Sequence, residues 1–144
     1  DRGVDWSSDV CSSDLYEWVK DPGDPKRKQP YFIRLKSQKP MFFGALAQVH
    51  PGLDPREGDG FVIITASSDQ GMVDIHDRKP LVLTPENARE WIEPDLTPGR
   101  AEEIAKECCQ PVDDFDWFRV GISVGNIRNQ GADLIISILD SEQS

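Results

Sequence analysis

Two residues carry most of the chemistry that this sequence could do. His76 lies in VDIHDRKPLVL (73–83), with Asp74, Asp77, Arg78 and Lys79 crowded around it between apolar segments. A histidine in that setting can act as acid, base or electrostatic stabiliser, because small shifts move its charge across neutral pH. The plainer reading is a structural histidine that hydrogen-bonds a turn. Glu17 lies between Tyr16 and Trp18. A carboxyl group among aromatic rings loses hydration, which moves it toward the range of a general acid. Strand alternation could equally point Glu17 at solvent.

Other positions offer contacts rather than reactions. Thr65 closes the apolar run FVIIT (61–65), and strand ends that feed loops often touch ligands. Arg78 could clamp a phosphate, or simply pair with Asp74 or Asp77 on the surface. The segment VGNIRNQGADLI (124–135) brings Gly125, Asn126, Arg128, Asn129 and Gly131 into one polar loop. Such loops can approach a phosphate backbone, but more often they are only turns.

Cys108 and Cys109 are adjacent, and Cys11 is the third cysteine. Neighbouring cysteines rarely reach good disulfide geometry, so reduced packing thiols are expected. No Cys-x-x-Cys or His-x-x-x-His spacing occurs, and a zinc site is not expected.

The elements that must position these residues follow from pattern and punctuation. The 144 residues suffice for one domain with a real core, and four Trp and six Phe give it bulk. Eleven Gly and eleven Pro predict a turn-rich fold. YEWVK (16–20) reads as the end of a strand and DPGDPKRKQP (21–30) as a loop. YFIRL (31–35) and MFFGALAQV (41–49) read as a hairpin joined by SQKP, and FVIIT as a buried central strand. Ser67, Ser68 and Asp69 could cap a short helical turn before His76, and LVL (81–83) is a short strand.

Thr84-Pro85 should start a helix running to about Ile92, and Thr97-Pro98 a second reaching about Cys108. Glu102 and Lys106 would pair along its exposed face. FDWFRV (115–120) and LIISIL (134–139) read as the last strands. The expected fold is α+β, a mostly antiparallel sheet or barrel-like core with two or more flanking helices.

No apolar run approaches the roughly 20 residues that span a bilayer. The leader has no apolar signal-peptide segment, so a soluble intracellular protein is expected. The formal net charge of -10 does not advertise a nucleic-acid partner.

Taken in order, YEW, KQPYFIRL, MFFGALA, FVIITASSDQGMVDIHDRKPLVL and VGNIRNQGADLI resemble the SRAP (SOS response-associated peptidase) family of abasic-site processing proteins. The resemblance covers 16–144, as the C-terminal part of a single SRAP domain, and VDIHDRKPLVL is its most specific block.

It implies self-processing that exposes an N-terminal cysteine. The amine and thiol of that cysteine then attack the ring-opened aldehyde of an abasic site in single-stranded DNA, forming a thiazolidine crosslink. The resemblance implies acid/base work for Glu17, stabilisation of the opened sugar by His76, and places beside the DNA backbone for Thr65 and Arg78. It also implies peptidase and lyase chemistry in the DNA damage response. The partner would be single-stranded DNA containing abasic sites, bound by a monomer in the cytoplasm, at the nucleoid when engaged, with neither metal nor cofactor.

The sequence departs from that family at its start. Residue 1 is Asp, and Cys11 is internal, so its nitrogen is an amide that cannot form a Schiff base. Residues 1–15, DRGVDWSSDVCSSDL, resemble the conceptual translation of sequencing-adapter read-through. They are expected to be a disordered, non-native leader on a domain truncated at its N-terminus. Four Asp and one Arg in 1–14 make -3 of the net charge local to that leader. The chain as written is then expected to be inactive in crosslinking. An unpaired sheet edge should make it aggregate or bind hydrophobic dye. The other class open to the sequence is a non-catalytic binding or structural module, with Glu17 and His76 as separate surface residues.

Overall fold

The computed structural model describes residues 6–12, 15–48, 50, 52–67 and 77–138. These residues form an α+β chain whose strand pairings are all antiparallel, with two α-helices. The chain divides into two units.

The first unit holds β1 (Trp6–Ser12), β4 (Phe42–Gln48), β5 (Gly60–Ile63), β6 (Thr65–Ser67), β7 (Arg78–Pro80) and β8 (Val82–Leu83), with helices α1 (Pro85–Trp91) and α2 (Pro98–Glu107). Strand β4 is its centre, paired with β1, β5 and β8. The helices begin where local chemistry places them. Thr84 Oγ1 accepts from Asn87 N–H, and Thr97 Oγ1 accepts from Arg100 N–H, each with proline in the first turn.

The core joins Leu81, Leu83, Ala88, Trp91 and Ile104, with Cys108 and Cys109 packed against it as half-buried free thiols. Gly44 packs closely here: a Cβ on it would lie 3.0 Å from Leu81 Cδ2, so the Leu81 side chain would have to shift to admit one. Arg100 bridges the helices by donating to both carboxylate oxygens of Glu90, which holds that carboxyl below its ordinary range. The expected Glu102–Lys106 pair is present on α2.

The second unit holds β2 (Leu15–Lys20), β3 (Lys28–Leu35) and β9 (Phe115–Arg119), in the order β2-β3-β9. Buried Phe32, Ile33, Leu35, Phe115 and Val120 stabilise it. Two 3₁₀ segments, Ile122–Gly125 and Ala132–Ile135, follow β9.

Several sequence expectations are corrected. YFIRL and MFFGALAQV do not pair with each other; β3 pairs with β2 and β9, and β4 with β1, β5 and β8. No barrel closure is formed by these pairings; the described strands lie in three separate sheets. FVIIT is not a buried central strand. Within it β5 lies at a sheet edge, with Phe61 59%, Val62 53% and Ile63 38% exposed. LIISIL does not begin as a strand, because the turn at Gly131 (φ 114°) leads into the second 3₁₀ segment. Ser67 belongs to β6 rather than to a helix cap, and Ser68 and Asp69 lie outside the described residues.

Within residues 1–15, expected to be disordered, Trp6–Ser12 is a strand against β4. Backbone pairing explains this: an open strand edge accepts any extended segment, whatever its side chains. Leu15 is part of β2.

The three consecutive apolar side chains of β5 make a specific prediction. The chain should bind an environment-sensitive hydrophobic dye, and Phe61→Lys should lower that binding. Its effect on stability should stay within about 0.5 kcal/mol, as for other surface changes. Dye fluorescence unchanged by the substitution would locate the sticky surface elsewhere.

Candidate active site

Glu17 is fixed by the β2–β3 ladder, directly opposite Tyr31. Side chains alternate along a strand, so Leu15, Glu17 and Val19 share one face while Tyr16, Trp18 and Lys20 share the other. The aromatic residues adjacent in sequence therefore do not line the face that carries Glu17; its neighbour across the ladder is Tyr31. Tyr31 in turn lies opposite Arg119 of β9, whose Nε donates to the Tyr31 hydroxyl at 3.2 Å. Glu17, Tyr31 and Arg119 thus form a row across three strands. All three are half-buried. Glu17 Oε1 accepts from the Trp18 backbone N–H at 3.1 Å, which folds the carboxylate back along its own strand.

The other face of this sheet is aromatic. Tyr16, Phe32 and Phe118 meet in turn across the strands, the first pair tilted and the second edge-on, with centroid separations of 5.2 and 5.7 Å, and Arg34 lies over the Phe118 ring. Trp18 packs on Gly125, where a Cβ would lie 2.9 Å from the indole. That close approach explains the glycine at 125 better than a phosphate loop does. The neighbouring polar residues serve the loop itself. Asn126 Oδ1 accepts from Arg128 N–H, and Asn129 Nδ2 donates to the Ser123 carbonyl.

Thr65 and Arg78 are brought together in the first unit. They sit diagonally across the β6–β7 pair, where Thr65 faces Pro80 and Ser67 faces Arg78. Arg78 Nε and Nη2 both donate to Thr65 Oγ1, at 2.9 and 2.8 Å, and Nη2 also donates to the Thr65 carbonyl. Both residues are exposed. Because Oγ1 accepts these bonds, the Thr65 hydroxyl proton stays available to an incoming acceptor. His76 and Asp74 lie outside the described residues. Among the described residues no group of three or more His, Cys, Asp or Glu could hold a metal ion. No helix among them is long and apolar enough to cross a membrane.

The Tyr31–Arg119 pair next to Glu17 is not evident from sequence. It depends on register between segments 88 positions apart, for which the chain carries no local signal.

Antiparallel sheets, two proline-started helices and a ladder-held glutamate coincide with a family assignment. Residues 10–127 match the family described as SOS response associated peptidase (SRAP), and the chain belongs to that family. It is 46% identical over 127 residues to the abasic site processing protein YedK of Escherichia coli (strain K12), covering 88% of this chain and 55% of that one. Against the abasic site processing protein YoqW of Bacillus subtilis (strain 168), identity is 34% over 133 residues, covering 89% and 56%.

Two solved structures resemble it. A phage-related protein of Bordetella bronchiseptica superposes with a TM-score of 0.67 at 37% identity, covering 79% of this chain and 53% of that one. A protein of Bacteroides thetaiotaomicron gives 0.70 over 92% and 57%; at 17% identity it supports the fold alone. The chain spans about half the length of the curated relatives it matches.

Proposed function

We propose that this protein serves abasic-site processing in single-stranded DNA, with Glu17 as acid/base and His76 as stabiliser of the opened sugar. The observation that carries the reading is the 46% identity to an abasic site processing protein over 127 residues, beside a family match over residues 10–127 that spans both positions. The reading takes 16–144 as part of a single SRAP domain that works as a monomer.

In the proposed reaction, the α-amine of an N-terminal cysteine adds to the aldehyde of the ring-opened sugar. Loss of water gives an imine. The thiol sulfur then adds to the imine carbon, its proton passes to nitrogen, and a thiazolidine closes. An α-amine suits this step because its pKa is about 8, which leaves a useful neutral fraction near pH 7. Ring opening needs a proton at the ring oxygen and removal of one from the anomeric hydroxyl, work for a positioned carboxyl group. An imidazole can stabilise charge that develops on the sugar oxygen. Thr65 and Arg78, already joined, would hold a phosphate of the DNA backbone through the Thr65 hydroxyl and the guanidinium charge.

Cys11, Cys108 and Cys109 all carry peptide nitrogens. The 144-residue polypeptide alone should therefore give no adduct with a single-stranded oligonucleotide bearing one abasic site, read on a denaturing gel. A chain with the N-terminal portion of the Escherichia coli relative placed ahead of Tyr16 should give a heat-stable one. An adduct from the 144-residue chain would overturn the assignment of the nucleophile. A folded extended chain that gave none would overturn the proposed function.

A further inference from the structure

The hairpin tip that joins β2 to β3 is a basic point on an acidic chain. Lys20, Lys26, Arg27 and Lys28 crowd it against only two acids, Asp21 and Asp24, in a chain of net charge -10. Both acids engage backbone N–H groups of the tip itself. Asp21 Oδ1 accepts from Gly23 N–H at 2.8 Å, and Asp24 Oδ1 accepts from Lys26 N–H at 3.0 Å. Two backbone bonds close the tip, Asp21 N–H to the Arg27 carbonyl and Arg27 N–H to the Asp24 carbonyl, both 2.9 Å. Local Asx turns of this kind fix the backbone without recruiting the cations.

All four basic side chains are exposed, and none is held in an ion pair with another described residue. Lys20 and Lys28 face each other across the ladder, so two like charges meet at the base of the tip. Opposed like charges cost free energy unless an anion relieves them. Lys20 lies three residues from Glu17 on the same strand, about 10 Å along it at the rise of a β-strand and on the opposite face, so a strand held at the tip would pass over the hairpin end to reach Glu17.

We propose that this hairpin tip grips the phosphate backbone of the single-stranded nucleic acid whose abasic site reaches Glu17. This rests on the function proposed above and adds to it a separate element for holding the strand. A flexible, closely spaced polyanion fits four exposed cations on a rigid turn. The overall charge of -10 keeps non-specific attraction low, so the tip supplies local affinity that the rest of the surface does not.

The test uses the 144-residue chain and a fluorescent single-stranded oligonucleotide without an abasic site, with anisotropy measured across a series of salt concentrations. For single strands, log K falls with log salt by about 0.7 per phosphate neutralised. The variant K26Q/R27Q/K28Q should therefore bind more weakly and lose about 2 from the slope. The Asx turns use backbone N–H groups, so hydrogen exchange of the tip amides should be unchanged in the variant. K36Q/K39Q, which alters two exposed lysines outside the tip, should leave the slope as it is. A slope unaltered in K26Q/R27Q/K28Q, or no measurable binding by the unsubstituted chain at low salt, would overturn the proposal. Because the oligonucleotide carries no lesion, failure of crosslinking on the gel leaves this result unaffected, and the two readings fail separately.

Discussion

Trp91→Ala should lower the stability of the unit built on β4 and the two helices by about 3–5 kcal/mol, the usual cost of truncating a buried Trp. Trp91 is only 2% exposed, and its ring sits in the cluster with Leu81, Leu83, Ala88 and Ile104. Its indole N–H donates to the Ala45 carbonyl at 3.1 Å, which ties α1 to the central strand. The substitution removes the packing and this bond together. Total stabilities of single domains are about 5–15 kcal/mol, so the loss could unfold the unit. Trp91→Phe keeps most of the apolar bulk but leaves the carbonyl without this donor, so it should cost about 1–3 kcal/mol. Urea unfolding followed by hydrogen exchange of the β4 amides would read both values. A loss below about 1 kcal/mol for Trp91→Ala would mean that the cavity collapses and that α1 is not held as the structure shows.

The sequence is readable where structure depends on neighbouring residues, and loses clarity where it depends on pairing. Thr84-Pro85 and Thr97-Pro98 each combine a side-chain acceptor with a preset φ, and both helices begin there. Strand character is equally visible in YFIRL and MFFGALA. Which strand pairs with which is not, because their partners lie far along the chain: β9 for β3, and β1, β5 and β8 for β4.

An apolar run also does not reveal its burial. FVIIT reads as central, yet β5 ends at Ile63, and Ile64 leaves the strand to bond with Gly44 and Leu81. LIISIL reads as a strand, but it begins in the 3₁₀ segment, and Ile138 donates to the Arg119 carbonyl. The same distinction holds at the site. Glu17 is marked by its motif, while Tyr31 and Arg119 come beside it only through register. The basic tip is visible as KRK, but the engagement of Asp21 and Asp24 with backbone N–H groups rather than with those cations is not.

Glu17→Gln, placed in the extended chain that carries an N-terminal cysteine, should slow crosslinking to an abasic site by roughly 10²–10⁴-fold, the range for loss of a positioned general acid or base. The substitution is sharp because Gln has nearly the shape of Glu. Its amide oxygen can still accept the Trp18 N–H, and the β2–β3 ladder around it is made of backbone bonds. Folding and salt-dependent binding to an intact oligonucleotide should therefore be preserved while the chemical step fails. A purely structural role predicts the reverse, with altered stability or binding and an unchanged rate. The decisive comparison is the single-turnover rate on an abasic oligonucleotide beside the affinity for an undamaged one. A rate within about threefold of the parent would be under 1 kcal/mol of barrier, too little for a proton-transfer role. Glu17 would then be a structural residue of β2, and the acid/base group would have to be sought elsewhere, with His76 the first to test.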